Sequence, residues 1–403
     1  MKTDVSTNST NNRIGIGLLG YGTVGKGLES LLTDKASDAF FIAKILRRIS
    51  KANRSDMVES IEDLLSDPKI EIVVECLGGI EPARTYIIEA LKAKKSVVTA
   101  NKALINRFGD ELDTCAKENG VVLRFSAAVG GGIPYLSTLI EVKKHTQISA
   151  IGGILNGTSN FILDKMERES CTFEEALSEA QTLGYAEQDP SADILGWDSL
   201  NKIRLSGVIA FNTWINIDSI PCTGIDSIQT KDVEFIQSLG YHIRLFATMI
   251  KTNLGHSAYV EPQLFNSDNA EATILSNHNI AWFTDMSGKH QALIGQGAGG
   301  LPTAGNILRD LYQIKEDAKG MLPEERSLKN IDNNELSHAY LVRTSKSLKS
   351  GFLEAITVFK WIQGNRIYRI TKNIQVSRFH NLMHQLKQLE PIFYAGIKEK
   401  EKQ

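Results

Sequence analysis

The stretch GYAEQDPSADILGWDSLNK, residues 184–202, contains five charged side chains. A glycine-flanked loop carries the first three, which are all acids: Glu187, Asp189 and Asp193. A helix-like segment then places Asp198 and Lys202 one turn apart. Carboxylates can hold an ammonium group, and a lysine on a rigid helix can donate a proton to an oxygen that gains negative charge. Three acids within seven positions and a lysine on the following helix therefore indicate a binding or reactive site, whose ligand the stretch alone leaves open.

An ordinary surface ion pair is the alternative for Asp198 and Lys202. Pairs at i, i+4 are common on exposed helices and stabilise them by only about 0.2–0.5 kcal/mol. The neighbouring residues favour a buried pair instead, because three apolar side chains flank it: Trp197, Leu200 and Ile203.

A glycine-rich turn, Gly20-Tyr21-Gly22-Thr23-Val24-Gly25, follows the first predicted strand and opens a helix. In the dinucleotide-binding pattern the first glycine makes the turn and the second lets the backbone approach a pyrophosphate. The third allows close packing of helix on strand. The helix N-terminus then offers N–H groups and a positive dipole to the phosphates. The position of the motif favours a dinucleotide site over a plain turn.

The second predicted strand, FFIAKIL, runs into Arg47 and Arg48, with Lys51 and Arg54 following. An NAD enzyme normally has an acid at this point, which accepts a hydrogen bond from the ribose 2′-OH. A cationic cluster suits a 2′-phosphate and predicts NADP, with NAD still possible. A solvated basic turn is the alternative.

Two further motifs follow strands of the same half. In SVVTANKAL, Lys102 lies just past the C-terminal end of a strand, the edge where ligands bind in such sheets, although a solvent-facing lysine is equally compatible. In AAVGGGIP, residues 127–134, three consecutive glycines must serve a purpose because they raise the entropy of the unfolded chain. Close approach of a nicotinamide or an ion would explain them, as would a tight bend.

The elements that must position these residues divide the chain. Strand–helix alternation over residues 13–126 predicts an α/β fold with a parallel, doubly wound sheet of the Rossmann type. From Ile148 the pattern changes to an α+β domain, and the helix in TAGNILRDLYQI is expected to pack back on the first domain. The predicted boundaries are a disordered leader at 1–12, a cofactor-binding domain at 13–147 completed by a helix at 303–314, a second, α+β domain at 148–302, a linker at 315–337 and a small α/β module at 338–403.

The composition excludes several classes of protein. A formal net charge of -2 over 403 residues gives no electrostatic reason to expect nucleic acid or an anionic membrane as partner. No apolar run approaches the roughly 18 residues needed to span a bilayer, and the polar N-terminus lacks the apolar core of a signal peptide. Four scattered cysteines without metal spacing predict reduced thiols in a cytoplasmic protein: Cys76, Cys115, Cys171 and Cys222.

The motifs together resemble homoserine dehydrogenase. The resemblance covers about residues 13–312 and rests on VVTANKAL, GGGIP, GILNGTSNFIL, LGYAEQDPSADILGWDSLNK and GQGAGGLPTAG, in that order after the GxGxxG strand. The two segments between Gly152 and Lys202 are the specific ones. The resemblance implies reversible reduction of L-aspartate 4-semialdehyde to L-homoserine with NAD(P)H, in threonine and methionine biosynthesis.

The resemblance also implies roles for single residues. Glu187 and Asp198 would hold the amino-acid end of the substrate, and Lys202 would be the catalytic proton donor. Lys102 would be a second catalytic lysine, which meets cofactor and substrate. With the two arginines included, the expected cofactor contacts are Gly20, Gly22, Thr23, Val24, Gly25, Arg47, Arg48, Lys102, Gly184 and Gly299.

One departure concerns a monovalent cation. The family usually has a glutamate in the strand before the glycines, which joins backbone carbonyls in binding the ion. Ser126 occupies that position here. The carbonyls of Val129, Gly131 and Ile133 remain, but the charge that would balance the ion is gone. We therefore expect weak or absent dependence of the activity on Na⁺ or K⁺.

A second departure lies in the C-terminal module, which resembles an ACT regulatory domain in length and rough strand–helix order. Its first turn, SKSLKSGFL, lacks the acid-x-Pro-Gly loop that meets an amino-acid effector. The module is expected to steady the enzyme without sensing threonine, so truncation after about Leu336 should leave the chemistry intact.

Two alternatives and one expectation about assembly complete the interpretation. Another NAD(P)-linked reductase sharing the Rossmann half would not need the helix that carries Asp198 and Lys202. A catalytically impaired, NADP-binding regulatory paralogue stays open because of Ser126, and it would bind cofactor without turnover. The family commonly dimerises through its second domain, so a homo-oligomer, either a dimer or a tetramer, is expected.

Overall fold

Six parallel strands form the sheet of the first of two units in the computed structural model, which describes residues 13–47, 54–324 and 328–398. This unit comprises Met1–Pro134 and Ala298–Leu322. Its strands are β1 (Ile14–Leu19), β2 (Phe40–Leu46), β3 (Met57–Val58), β4 (Ile70–Glu75), β5 (Ser96–Thr99) and β6 (Leu123–Arg124). The spatial order is β3-β2-β1-β4-β5-β6. The predicted parallel, doubly wound sheet is confirmed, and β3 is a strand that the sequence did not predict.

The strand order creates the binding edge of this sheet. The chain leaves β1 towards β2 on one side and returns to β4 on the other, which makes a topological switch point between β1 and β4. The strands are apolar because both faces are covered, and Ile16 in β1 and Ile72 in β4 are fully or almost fully buried. Four helices follow the strands along the chain: α1 (Thr23–Lys35), α2 (Ile61–Leu65), α3 (Ala83–Lys92) and α4 (Lys102–Glu118).

The second unit comprises Tyr135–Gly297 and Pro323–Gln403. Its first segment contains the helices α5 (Tyr135–Val142), α6 (Gly157–Glu169), α7 (Phe173–Thr182), α8 (Ser191–Ile194), α9 (Trp197–Phe211) and α10 (Thr230–Ser238). The strands of the same segment are β7 (Ile148–Ile154), β8 (Trp214–Ile215), β9 (Tyr241–Thr252), β10 (Gly255–Asn266), β11 (His278–Asp285) and β12 (His290–Gln296). The predicted boundary at 147 is therefore late, because α5 belongs to this unit: the hydroxyl of Tyr135 donates to Trp282 O at 2.8 Å.

The chain then contributes α11 (Gly300–Lys315) to the first unit, beginning three residues before the predicted 303–314. This helix packs closely on α1. A Cβ placed on Gly27 would lie 3.0 Å from the backbone of Gly300, so any side chain there would push the two helices apart by a few tenths of an ångström.

The C-terminal residues continue the sheet of the second unit. Their elements are β13 (Leu328–Lys329), β14 (Ser337–Ser345), α12 (Gly351–Ile356), β15 (Thr357–Gln363), β16 (Arg366–Thr371), β17 (Ile374–Gln375), α13 (Val376–Lys387) and β18 (Phe393–Ile397). The sheet runs β12-β11-β7-β9-β10-β18-β14-β16-β15, with β17 paired to β14. Strands β10 and β18 pair in parallel through Gln263 with Gly396 and Leu264 with Ile397. The ACT-like character of residues 338–403 stays a prediction, but these residues share one sheet with β7, β9 and β10.

The predicted linker, residues 315–337, is partly anchored. Strand β13 pairs with β8, and Met321 and Leu322 are buried. The Asn333 amide donates to Ala258 O and accepts from Ala258 N, both at 2.9 Å, so it acts as a strand partner for β10. Over the described ranges, no helix combines the length and apolar character needed to cross a membrane.

Candidate active site

The ion pair predicted on α9 is buried. Lys202 Nζ lies 2.8 Å from Asp198 Oδ2 and also donates to Leu155 O at 2.6 Å. The two side chains are 9% and 7% exposed, so the surface interpretation of the pair is wrong. The expectation for Trp197 is also wrong, since that side chain is half exposed and the inward face of α9 begins at Asp198.

Asn156 organises this network and was not predicted from the sequence as a site residue. Its amide nitrogen donates to Asp198 Oδ2 at 2.8 Å and to Asp193 Oδ1 at 2.6 Å. Its Oδ1 accepts from Ser159 N at 2.7 Å, which caps the N-terminus of α6. The available signal was local: an asparagine directly before Gly-Thr-Ser is typical of a helix N-cap. The asparagine that caps α6 thus also binds the carboxylates of Asp193 and Asp198, and the second of these is the partner of Lys202.

The loop acids divide into two kinds. Asp189 shapes its own turn, because its carboxylate accepts from Ser191 Oγ at 2.5 Å and from Ser191 N at 3.1 Å, and these bonds lower the pKa of Asp189. Glu187 is exposed, and among the residues that the structure describes its carboxylate has no hydrogen-bond or ion-pair partner. Gly184 is exposed at a φ of +74°, a left-handed conformation that favours glycine. Of the loop acids, Glu187 is the one available to a ligand.

This arrangement can hold and deliver a proton. An ammonium has three N–H donors, and within the described part of the chain Asp198 and Leu155 O accept two of them. The carboxylate compensates the buried positive charge, which would otherwise be costly to desolvate. The remaining N–H suits an oxygen that gains negative charge.

In the first unit the GxGxxG turn has the geometry that the pattern predicts. Gly20 adopts a φ of +93°, and a Cβ on Gly25 would lie only 2.6 Å from Gly20 O. Gly22 is the N-cap of α1, and a Cβ there would meet nothing within 4 Å. The open space at Gly22 and the exposed Thr23 with half-buried Val24 suit a pyrophosphate approaching the backbone.

A second helix N-terminus lies beside the first. Gly299 is the N-cap of α11, with a φ of +123°. A Cβ on Gly300 would lie 2.8 Å from Thr23 O, so the first turns of α1 and α11 are in contact. The structure describes every residue of these two first turns, and none of them has an acidic side chain. Two positive dipole ends therefore converge where phosphates are expected.

The cationic cluster after β2 is smaller than the sequence indicated. Arg47 follows β2 and is half-buried, whereas Arg48 and Lys51 lie outside the described residues. Arg54 pairs with Glu29 at 2.7 Å and with Asp56 at 2.6 Å, and the hydrogen bonds that its guanidinium donates to Asp56 and Glu29 raise the pKa of Arg54. Arg54 is thus already neutralised and does not contribute to a phosphate site.

Lys102 is the first residue of α4, three positions after the last residue of β5, and is half-buried. The neighbouring loop after β4 is shaped by Glu75, which the sequence analysis missed. Its buried carboxylate accepts from Leu77 N at 2.7 Å, Gly78 N at 3.1 Å and Thr99 Oγ1 at 2.5 Å. The acid that ends the apolar strand IEIVVEC was the available signal. Glu75 therefore fixes a loop at the binding edge of the sheet.

The candidate cation segment begins at Ser126, which opens a 3₁₀ turn over Ser126–Ala128. Among the described residues, no group of three or more His, Cys, Asp or Glu side chains is arranged to hold a metal. Two of the three carbonyls proposed as ligands, Gly131 O and Ile133 O, accept hydrogen bonds from Asn306. The Asn306 amide would therefore compete with a cation for two of the three predicted carbonyl ligands.

Comparison with known proteins agrees with this geometry. The family model described as homoserine dehydrogenase matches residues 134–312, and the model of its NAD-binding domain matches residues 20–126. The homoserine dehydrogenase of Lactococcus lactis is 38% identical over 321 residues, which covers 76% of this chain and 75% of that protein.

The chain belongs to the homoserine dehydrogenase family.

Solved structures of the family show the same fold. The homoserine dehydrogenase from Thiobacillus denitrificans superposes with a TM-score of 0.85 at 28% identity, covering 96% of this chain and 98% of that one. A hyperthermophilic archaeal homoserine dehydrogenase mutant in complex with NADPH has a TM-score of 0.63 at 26% identity, covering 76% and 98%. The reaction of the family is the reversible NAD(P)H-dependent reduction of L-aspartate 4-semialdehyde to L-homoserine, on the route to threonine and methionine. Nothing in these comparisons supports the impaired paralogue.

Proposed function

We propose that Lys202 is the general acid in the family reaction of this chain and that Glu187 and Asp198 hold the α-ammonium of the substrate. The buried contact of Lys202 Nζ with Asp198 Oδ2 at 2.8 Å carries this proposal. The Lys202 side chain is 9% exposed, and its ammonium is held by a carboxylate and a carbonyl. Its remaining N–H therefore points in one fixed direction, whereas the ammonium of a solvated lysine moves freely.

The direction of proton transfer follows from the charge that develops. NADPH, when bound, supplies a hydride to the aldehyde carbon. The carbonyl oxygen gains negative charge as that bond forms, and Lys202 donates a proton to it, which completes the hydroxyl of homoserine. In the reverse direction the neutral Lys202 amine takes the hydroxyl proton. Asn156 maintains the orientation of Asp198, and Lys102 is proposed to contact cofactor and substrate.

The preferred cofactor of this proposal is NADP. Arg47 directly follows β2, where an acid would serve NAD, and a guanidinium gives charge-assisted hydrogen bonds to a 2′-phosphate. The structure of the related archaeal homoserine dehydrogenase is that of a mutant in complex with NADPH. The test is homoserine-dependent reduction of NADP⁺ and NAD⁺ by wild type, Arg48→Asp and the control Arg54→Ala. Arg48→Asp should raise the Michaelis constant for NADP⁺ far more than that for NAD⁺.

Arg54→Ala is a matched control because Arg54 is occupied by Glu29 and Asp56. It should lower stability without altering the ratio of the two cofactor constants. Equal use of NADP⁺ and NAD⁺ by the wild type would contradict the cofactor preference while leaving the reaction itself intact. Absence of homoserine-dependent reduction with either cofactor would contradict the catalytic roles.

Self-association is also part of the proposal, with a dimer or tetramer as the expected state. Strand β15 ends the sheet of the second unit and exposes three large apolar side chains by more than half: Val358, Phe359 and Ile362. An exposed apolar edge strand is a ready site for pairing with another chain. We further propose a cytoplasmic location, which is supported by the biosynthetic role of the family and by the four cysteines, none of which forms a disulfide.

A further inference from the structure

Asn306 occupies an unusual position for its residue type. It lies inside α11, where asparagine is a poor helix former, and its side chain is 2% exposed. A buried amide is costly unless it is hydrogen-bonded. The amide nitrogen of Asn306 donates to Gly131 O at 2.5 Å and to Ile133 O at 2.9 Å.

Those two carbonyls belong to the glycine loop, residues 129–133. Gly130 and Gly131 have φ values of +82° and +53°, so the backbone of this loop takes conformations that few residues tolerate. Gly131 and Ile133 are both buried. Buried carbonyls need partners, and a primary amide can direct one hydrogen to each. The loop is thus held from α11 through a single nitrogen atom.

The charge around the loop does not suit a cation. Ser126 N and Ser126 Oγ each donate to the Asp310 carboxylate at 2.7 Å, and Arg124 Nε donates to it at 3.0 Å. Burial raises the pKa of Asp310, and the Arg124 guanidinium opposes that rise. Arg124 therefore already supplies the positive charge that balances the Asp310 carboxylate. A cation at Gly131 O and Ile133 O would have to share both carbonyls with the Asn306 amide, and Ser126 stands where the resemblance places the acid of the family.

We propose that Asn306 replaces the monovalent cation as the group that positions the glycine loop, so that this member of the family needs neither Na⁺ nor K⁺ for its loop geometry. Two residues together would make this replacement. Ser126 removes the acid that would balance the charge of an ion, and the uncharged amide of Asn306 donates hydrogen bonds to the carbonyls that the ion would otherwise bind. The inference rests on the family reaction and assigns Asn306 a positioning role without contact to the substrate.

The first arm of the test uses the wild type. Rates of homoserine-dependent NADP⁺ reduction and the melting temperature of the cofactor-free protein are measured in sodium, potassium and tetramethylammonium chloride at equal ionic strength. The proposal expects equal rates and equal melting temperatures in all three salts. Saturable activation or stabilisation by Na⁺ or K⁺ over tetramethylammonium would overturn it, whereas an inactive wild type whose melting temperature is the same in all salts would count only against the family reaction.

The second arm introduces a cation requirement. The double variant Ser126→Glu with Asn306→Ala restores an acid and removes the amide, so Na⁺ or K⁺ should raise its activity by about tenfold, the scale of lost support around a metal site. Its melting temperature should rise with the same ion. If this variant does not fold, Asn306→Asp provides the same comparison, because it keeps the shape and supplies a carboxylate to the two carbonyls. A folded variant of either kind without any cation response would overturn the proposal.

Asn160 offers a matched control in the second unit. It is a buried asparagine in α6 whose amide nitrogen donates to Ile274 O at 3.0 Å and to Ser276 O at 2.9 Å. Asn160→Ala and Asn306→Ala should both lower the melting temperature by roughly 2–10 °C, since each leaves buried carbonyls unpaired. Only Asn306→Ala should also raise the Michaelis constant for NADP⁺. If the Michaelis constant of Asn306→Ala for NADP⁺ is unchanged, Asn306 has only a structural role and the proposed positioning role is wrong.

Discussion

Replacement of Lys202 by alanine tests its proposed role as the proton donor. The substitution removes the proton donor, so turnover should fall by roughly 10²–10⁴-fold, which corresponds to about 2.7–5.4 kcal/mol of transition-state stabilisation. NADPH affinity should hardly change, because Lys202 belongs to the second unit and the glycine-rich turn to the first. Steady-state kinetics in both directions and an NADPH fluorescence titration measure the two effects.

The same substitution disturbs the fold, and the structure indicates by how much. Asp198 would stay buried with the Asn156 amide but without its cation, and Leu155 O would lose its donor. Removal of one partner from a buried pair costs about 3–5 kcal/mol, and an unpaired carbonyl costs about 1–3 kcal/mol. A folding check by calorimetry or circular dichroism must therefore accompany the kinetics.

Two further variants distinguish proton donation from charge. Lys202→Arg keeps the positive charge and several donors, but a guanidinium does not give up its proton, so the fold should recover while turnover stays low. Lys165→Met removes a lysine of similar burial from α6, where it pairs with Glu169 and Glu179, and should leave turnover unchanged. Glu187→Ala should act mainly through the Michaelis constant for homoserine. Near-normal turnover of folded Lys202→Ala would refute the proposed role and return the pair to a structural one.

Three other predictions concern the cofactor turn, the acid limit of stability and the C-terminal strands. Gly22→Ala should fold normally, since its Cβ would meet no protein atom within 4 Å, but it should bind NADPH weakly in a fluorescence titration because that Cβ takes up space expected for the pyrophosphate. Gly25→Ala should also unfold more easily, because its Cβ would lie 2.6 Å from Gly20 O. Burial disfavours the charge of Glu261, but bonds from His338 and His380 outweigh burial and lower the pKa of Glu261 to about 2. The resulting stability, about 3 kcal/mol, is present above about pH 4.5 and is lost as the pH falls towards about 2, so urea midpoints of Glu261→Gln should depend less on pH in that range. Truncation after Leu336 should give insoluble protein in an expression and sedimentation test, contrary to the sequence expectation, because it removes β18 from β10 and leaves Glu261 without its histidines.

The sequence by itself determined the features that depend on neighbouring residues. The GxGxxG turn after an apolar strand specifies its own geometry, since its glycines serve a turn and a helix start within six positions. The spacing of Asp198 and Lys202 places both on one face of a helix wherever that helix lies. The order of the motifs also sufficed for the family and hence for the reaction.

Only the tertiary structure decided which distant groups meet. The Asn306 amide reaches carbonyls 173 and 175 positions away, and no local pattern marks the asparagine as their partner. Arg54 resembled a phosphate ligand until Glu29, 25 positions earlier, was found to neutralise it. The C-terminal strands looked like a separate module, yet β18 pairs with β10. Such contacts depend on the path of the whole chain, because a hydrogen bond or ion pair is specified by position in space and not by distance along the sequence.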